Sequence, residues 1–280
     1  MKRLTIVKCH AGKCHRTADR LAEEMVLHVD LGGGIGFDTV ISPSMLKEFV
    51  FGNLFSEGII SRPDEVTAYT EKKRGGMGMV MVRIPGFERR APYLKRNFGV
   101  IWADCGRNVP EYRRVGERLR RRMKGFSVGA DVVLGILAST SGRFREFRET
   151  GGYHYAFLLD RRARVVARAP DISRHNAVDK VIGRELLRGR SLDGRILFVT
   201  GRIGMDIALK CIRCRIPLVV SRGAPLYQAV ILARKYDLGM VGFLRGPRFN
   251  IYSGEDTVDF GKSRKFGRLF SANALSPSPI

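Results

Sequence analysis

A chain of 280 residues with 44% hydrophobic and 28% charged residues is globular in composition and long enough to bury a core without disulfides, as one large domain or two small ones. The longest mid-chain apolar stretch, Val132 to Ala138, is far too short to cross a bilayer, Met1 to Lys8 holds no secretory h-region, and five cysteines make no disulfide framework, so a soluble, cytoplasmic, reducing setting is expected. Fifty basic against 27 acidic residues give +23, with 37 arginines, which points to an anionic partner, although a GC-rich or high-temperature genome gives the same bias.

After a basic N-terminal segment, Glu23 to Asp30 alternates apolar residues and predicts a strand. Gly32-Gly33-Gly34-Ile35-Gly36 lacks the spacing of a dinucleotide fingerprint and the Gly-Lys-Ser/Thr of a P-loop, so a hairpin turn is expected there. Ser42-Pro43 predicts a helix start, with Met45, Leu46, Phe49, Val50 and Leu54 as its apolar stripe and Gly58 as its stop. Met77 to Ile84 reads as a strand and Phe98 to Trp102 as another, leading into Asp104-Cys105-Gly106. Arg89 to Lys124 holds twelve basic and three acidic residues, with Tyr112, Val115, Leu119 and Met123 as a narrow seam on an arginine-rich helix.

The second half alternates strands and helices. Tyr155 to Asp160 and Ala163 to Arg168 read as adjacent strands, and Ser173 caps a helix to about Leu187. Then follow a strand Arg195 to Thr200, a helix Gly204 to Arg215, a strand Pro217 to Ser221, a helix Pro225 to Tyr236, a strand Met240 to Leu244 and an extended piece Phe249 to Tyr252. This order predicts an α/β layer with a largely parallel sheet. The expected division is an N-terminal accessory part over 1–125 carrying the Cys105 loop, a core over 126–260, and a basic, flexible tail over 261–280.

Several residues have the chemistry for a site. Cys105 sits between a predicted strand and a helix beside Arg107, where a cation and a helix N-terminus lower a thiol pKa; an inert loop cysteine is the alternative. Cys211 and Cys214 fall inside a helical pattern and read as small apolar residues on a buried face. Cys9, His10, Cys14 and His15 could form half a zinc site or a redox pair. Their spacing matches no standard metal motif and adjacent Cys-His residues cannot easily face one ion, so no metal is expected. A zinc deaminase of bases needs His-x-Glu and Pro-Cys-x-x-Cys, and neither is present. Arg174-His175-Asn176 at a helix start and Phe243-Leu244-Arg245-Gly246-Pro247-Arg248 after a strand each suit an anion, or an ordinary polar turn and a basic loop.

Taken in order, Leu54-Phe55-Ser56-Glu57-Gly58-Ile59-Ile60, Thr150-Gly151-Gly152-Tyr153-His154, Ser173 through Gly183, Thr200-Gly201-Arg202, Ile216 through Pro225 and Gly242 through Tyr252 make the chain resemble the FdhD family, the formate dehydrogenase accessory sulfurtransferases. The resemblance covers about Glu23 to Tyr252. It implies a cytidine-deaminase-like layered core without the zinc, a smaller N-terminal α+β part, and a homodimer. It further implies sulfur taken from a cysteine desulfurase as a cysteine persulfide. That sulfur passes to the molybdenum or tungsten bis(guanine dinucleotide) cofactor of formate dehydrogenase.

By this resemblance the persulfide falls on Cys105 and the cofactor-binding segment on Phe243, Leu244, Arg245, Gly246, Pro247 and Arg248, with Arg174-His175-Asn176 and Gly151-Gly152 as further pocket candidates. The family's usual loop reads Cys-Gly-x-Cys. Here Cys105-Gly106 matches the first pair and Asn108 replaces the second cysteine; in the other register Trp102 replaces the first. Three versions follow: a one-cysteine carrier, a relay assisted by Cys9 or Cys14, or a cofactor-binding chaperone without transfer. A basic nucleic-acid binder is the reading from another class, and the helix around Arg113 to Arg122 lacks the interleaved aromatics that would favour it.

Overall fold

The computed structural model describes residues 1–87 and 125–261. The predicted strand Phe98 to Trp102, the seam from Tyr112 to Met123, Cys105 and all but the first residue of the tail lie outside these. Among the described residues no helix is long and apolar enough to cross a membrane.

The basic N-terminal segment forms a two-stranded hairpin, β1 (Lys2–His10) and β2 (Lys13–Leu21), turning over Ala11-Gly12. A second sheet contains β3 (Met25–Asp30), β4 (Gly36–Ile41), β5 (Ala68–Arg74) and β6 (Met77–Arg83) in the order β4-β3-β6-β5. The triple-glycine stretch is the hairpin turn between β3 and β4, closed by Leu31 N donating to Ile35 O at 2.8 Å. Met25, Leu27, Val29, Phe37, Ile41, Val80 and Val82 project from one face onto α1 (Leu46–Ser56), which contributes Leu46, Phe49, Val50 and Leu54.

The remaining chain builds one six-stranded sheet, order β13-β12-β11-β10-β8-β9, from β8 (His154–Leu159), β9 (Val165–Asp171), β10 (Ile196–Val199), β11 (Leu218–Ser221), β12 (Gly239–Arg245) and β13 (Arg248–Ser253). On one face lie α4 (Arg174–Leu187), α5 (Met205–Arg213) and α6 (Tyr227–Lys235), packed through Val178, Val181, Ile207 and Ala229. Covering the other is α2 (Ala130–Thr140), through Val133 and Ile136, with α3 (Arg145–Thr150) following it. Short strands β7 (Val128–Gly129) and β14 (Val258–Asp259) pair beside α2. Burial on both faces is why the central strands read as unbroken apolar runs. The α/β class holds: within the six-stranded sheet β10–β11 and β11–β12 pair parallel and the other three pairs are antiparallel, while β3–β6 and β7–β14 are parallel pairs outside it.

The helix predicted from Ser42-Pro43 instead begins at Leu46, after Met45 in the left-handed region at φ 57°. Ser42 is drawn into a buried network instead of capping. Its hydroxyl donates to Asp171 Oδ2 at 2.8 Å and accepts from Lys180 Nζ at 2.8 Å. A parallel network fastens the other end of α1, where Lys210 Nζ donates to Ser56 Oγ, Glu57 Oε1 and both Asp179 oxygens at 2.8–3.0 Å. Between these two anchors α1 and α4 cross with Gly52 against Asp179 and Gly183 against Glu48, backbone to backbone.

Candidate functional site

Three parallel strands end at one edge, and each ends on an arginine and a glycine: Gly201-Arg202 after β10, Arg222-Gly223 after β11, and Arg245-Gly246 closing β12. Because β8 runs antiparallel to β10, its first residue His154 arrives at the same edge, and so does Asp171 at the end of β9. The chain then turns directly into α4, placing Arg174 and His175 there. In open α/β sheets, ligands bind at the carboxyl ends of the strands, and a helix N-terminus adds donors for an anion.

Glycines let the three loops touch. A Cβ on Gly223 would sit 3.1 Å from Gly201 C and O, and one on Gly201 would sit 3.0 Å from Arg174 Cδ and 3.4 Å from His154 Nδ1. Ser221 Oγ donates to Gly201 O at 2.5 Å and accepts from Gly223 N at 2.8 Å, while Phe243 N donates to Gly223 O at 3.1 Å. The result is a continuous strip from the Arg174 side chain through the Gly201 and Gly223 backbone to Phe243.

Of the predicted loop, Arg245, Gly246, Pro247 and Arg248 are exposed at the turn between β12 and β13, and Phe243 is half-buried at φ 54°. Leu244 is fully buried in the core and can offer a ligand only its backbone. Arg245 reaches back over the strip, its Nε donating to Arg222 O at 3.4 Å and its guanidinium 5.9 Å from the Phe243 ring.

Some arginines of the fold are paired and others are not. Arg20, Arg145, Arg164, Arg168, Arg188, Arg213 and Arg215 all pair with carboxylates. Arg202, Arg222, Arg245 and Arg248 are exposed and, among the described residues, meet no carboxylate at ion-pair distance. Among the described residues, the buried Arg174 Nε has no hydrogen-bond partner. Guanidinium groups without carboxylate partners beside a glycine-lined strip are a chemistry for phosphate. Arg202 and Arg222 lie in stretches that carry the family resemblance but were given no site role from sequence; the signal was the Arg and Gly recurring after every parallel strand.

Two imidazoles border the strip. His175 Nε2 contacts the Asp206 carboxylate on the first turn of α5. Burial, then the Arg174 and His175 charges, hold His154 below the ordinary value of 6.5. A depressed histidine binds its proton more weakly in the folded chain, so stability falls as pH drops through 6.5 toward the native value and is complete above 6.5. Urea midpoints from pH 7.5 to 5 are expected to fall more steeply for the wild type than for His154→Gln; parallel curves would remove His154 from this account.

The cysteines separate sharply. Cys211 and Cys214 are buried free thiols in the helical layer, as expected, and burial pushes both well up in pKa. Cys9 and Cys14 face each other across the hairpin as a disulfide, a single local cross-link. Strand alternation puts His10 and His15 on the opposite face, so the four do not converge.

The FdhD/NarQ family model matches residues 22–259. A Bacillus pumilus protein named Sulfur carrier protein FdhD is 31% identical over 253 residues, covering 90% of this chain and 95% of its own. The Thermoplasma acidophilum protein of the same name is 31% identical, covering 86% and 87%. The crystal structure of a Desulfotalea psychrophila protein, described as a formate dehydrogenase accessory protein, superposes with a TM-score of 0.71 at 20% identity, over 92% of this chain and 99% of that one. With a family match spanning the hairpin-proximal sheet, the arginine-rimmed edge and everything between, the chain belongs to the FdhD/NarQ family.

Proposed function

We propose that this protein is a sulfurtransferase that carries sulfane sulfur from a cysteine desulfurase to the molybdenum or tungsten bis(guanine dinucleotide) cofactor required by formate dehydrogenase. Cys105 is the carrier: its thiolate attacks the terminal sulfur of the donor's persulfide, a new S–S bond forms on Cys105, and the donor leaves as a thiolate. The acceptor is a substrate with several phosphate charges. Arg202, Arg222, Arg245 and Arg248 would hold those phosphates at the carboxyl edge of β10 to β12, with the Gly201 and Gly223 backbone allowing close approach and the buried Arg174 Nε awaiting an acceptor.

The carrying observation is that four exposed arginines converge there without carboxylate partners among the described residues. Guanosine diphosphate, titrated at moderate salt beside a random RNA competitor, tests it. Binding to the wild type is expected in the presence of the competitor. Arg222→Gln with Arg245→Gln should weaken it about 100-fold, on the scale of about 1.5 kcal/mol for each charged hydrogen bond. Equal affinity in the double variant, or displacement of the nucleotide by RNA with a slope of several counterions, would overturn the assignment and favour the nucleic-acid reading.

A further inference from the structure

The hairpin β1–β2 precedes the family match over residues 22–259, and the transfer described above makes no use of it. Its register sets Cys9 opposite Cys14, one pair in from the two-residue turn, with the Cα atoms 4.1 Å apart. The pair flanking such a turn exchanges hydrogen bonds, so the next is a non-hydrogen-bonded pair, where facing side chains stand closest. The sulfurs can therefore join and part without the strands changing register. Both residues are exposed. Residues 1–18 contain Lys2, Arg3, Lys8, His10, Lys13, His15 and Arg16 and no Asp or Glu, a field that favours thiolates and attracts anionic sulfur species.

We propose that Cys9 and Cys14 are a redox-active dithiol that takes sulfane sulfur from a persulfide and releases it as hydrosulfide, the disulfide of this structure being the spent form. The inference rests on the reading that the protein handles sulfane sulfur. One thiolate of the pair attacks the terminal sulfur of R–S–SH, breaking its S–S bond and releasing the thiol R–SH. The second attacks the sulfur of the cysteine now bearing the persulfide, expels HS⁻ and closes the Cys9–Cys14 bond. The sulfane sulfur gains two electrons and the two thiols lose them; their protons leave on R–SH and on sulfide. An external dithiol reductant reopens the pair.

The test uses the full chain carrying Cys105→Ala, reduced and freed of reductant, then mixed with glutathione persulfide. Expected is about one sulfide per chain with a fall of about 2 Da from the reduced mass. Adding Cys14→Ser should stop the reaction at an adduct of about 32 Da, without the sulfide. Thiols that stay reduced, or the same sulfide yield from a chain with both Cys9→Ser and Cys14→Ser, would overturn the proposal. Unchanged thermal midpoints in the serine variants exclude misfolding as the cause. Because Cys105 is absent throughout, failure here is distinct from failure of the carrier assignment, which is measured with the hairpin disulfide closed.

Discussion

With the Cys9–Cys14 disulfide closed, replacing Cys105 by alanine is expected to abolish sulfur loading. After incubation with a cysteine desulfurase and cysteine, non-reducing intact mass should show the wild type heavier by one sulfur, about 32 Da, and the variant unchanged. Elimination among the cysteines supports this outcome. A persulfide carrier must expose a thiolate to a donor and then to an acceptor. Cys211 and Cys214 sit fully within the core, where burial disfavours the thiolate. Cys9 and Cys14 are tied to each other. Of five cysteines, that leaves the one beside Gly106 and Arg107. Formate dehydrogenase maturation in cells relying on this protein should fall to the level of a deletion. An adduct that persists in Cys105→Ala would sink the assignment. A competent desulfurase with no adduct on either form would instead favour a cofactor-binding chaperone, leaving the arginine edge as the working part.

Much of this architecture was legible because both faces of the central sheet are buried. Ile196 to Val199 and Leu218 to Ser221 have no polar alternation to confuse with a helix, and the amphipathic helices between them announce themselves. The N-terminal hairpin was not legible. Its residues are almost all exposed, so no burial pattern marks strands, and its turn uses Ala11 at φ 47° where Asn or Gly would have signalled it. Ser42-Pro43 misled for a different reason: a good local cap was overridden by a buried Asp171–Lys180 pair 129 and 138 residues away in sequence. Arg245 and Arg248 were found from one strand end, whereas Arg202 and Arg222 needed the register that brings three strand ends level.

One chemical change made at two glycines should move stability in opposite directions. Gly183 lies on α4 where it crosses α1, and a Cβ there would fall 1.8 Å from Glu48 O and 2.7 Å from Gly52 N, both backbone atoms. No rotamer relieves such a contact; the helices must separate. Separation would pull on the Lys180–Asp171–Ser42 and Lys210–Asp179–Ser56 networks on either side, whose charges are buried and tolerate little loss of partners. Gly183→Ala is therefore expected to cost about 3 kcal/mol or more, overpacking outweighing the gain in helix propensity of about 1 kcal/mol. Gly135, inside α2, has nothing within 4 Å of its would-be Cβ among the described residues and no positive φ. There Gly→Ala keeps the propensity gain alone and should stabilise by about 0.5–1 kcal/mol. Urea unfolding of both variants beside the wild type decides it. A Gly183→Ala variant as stable as the wild type, or more so, would mean that the α1–α4 crossing is loose and that Gly52 and Gly183 are not what holds the N-terminal sheet to the core.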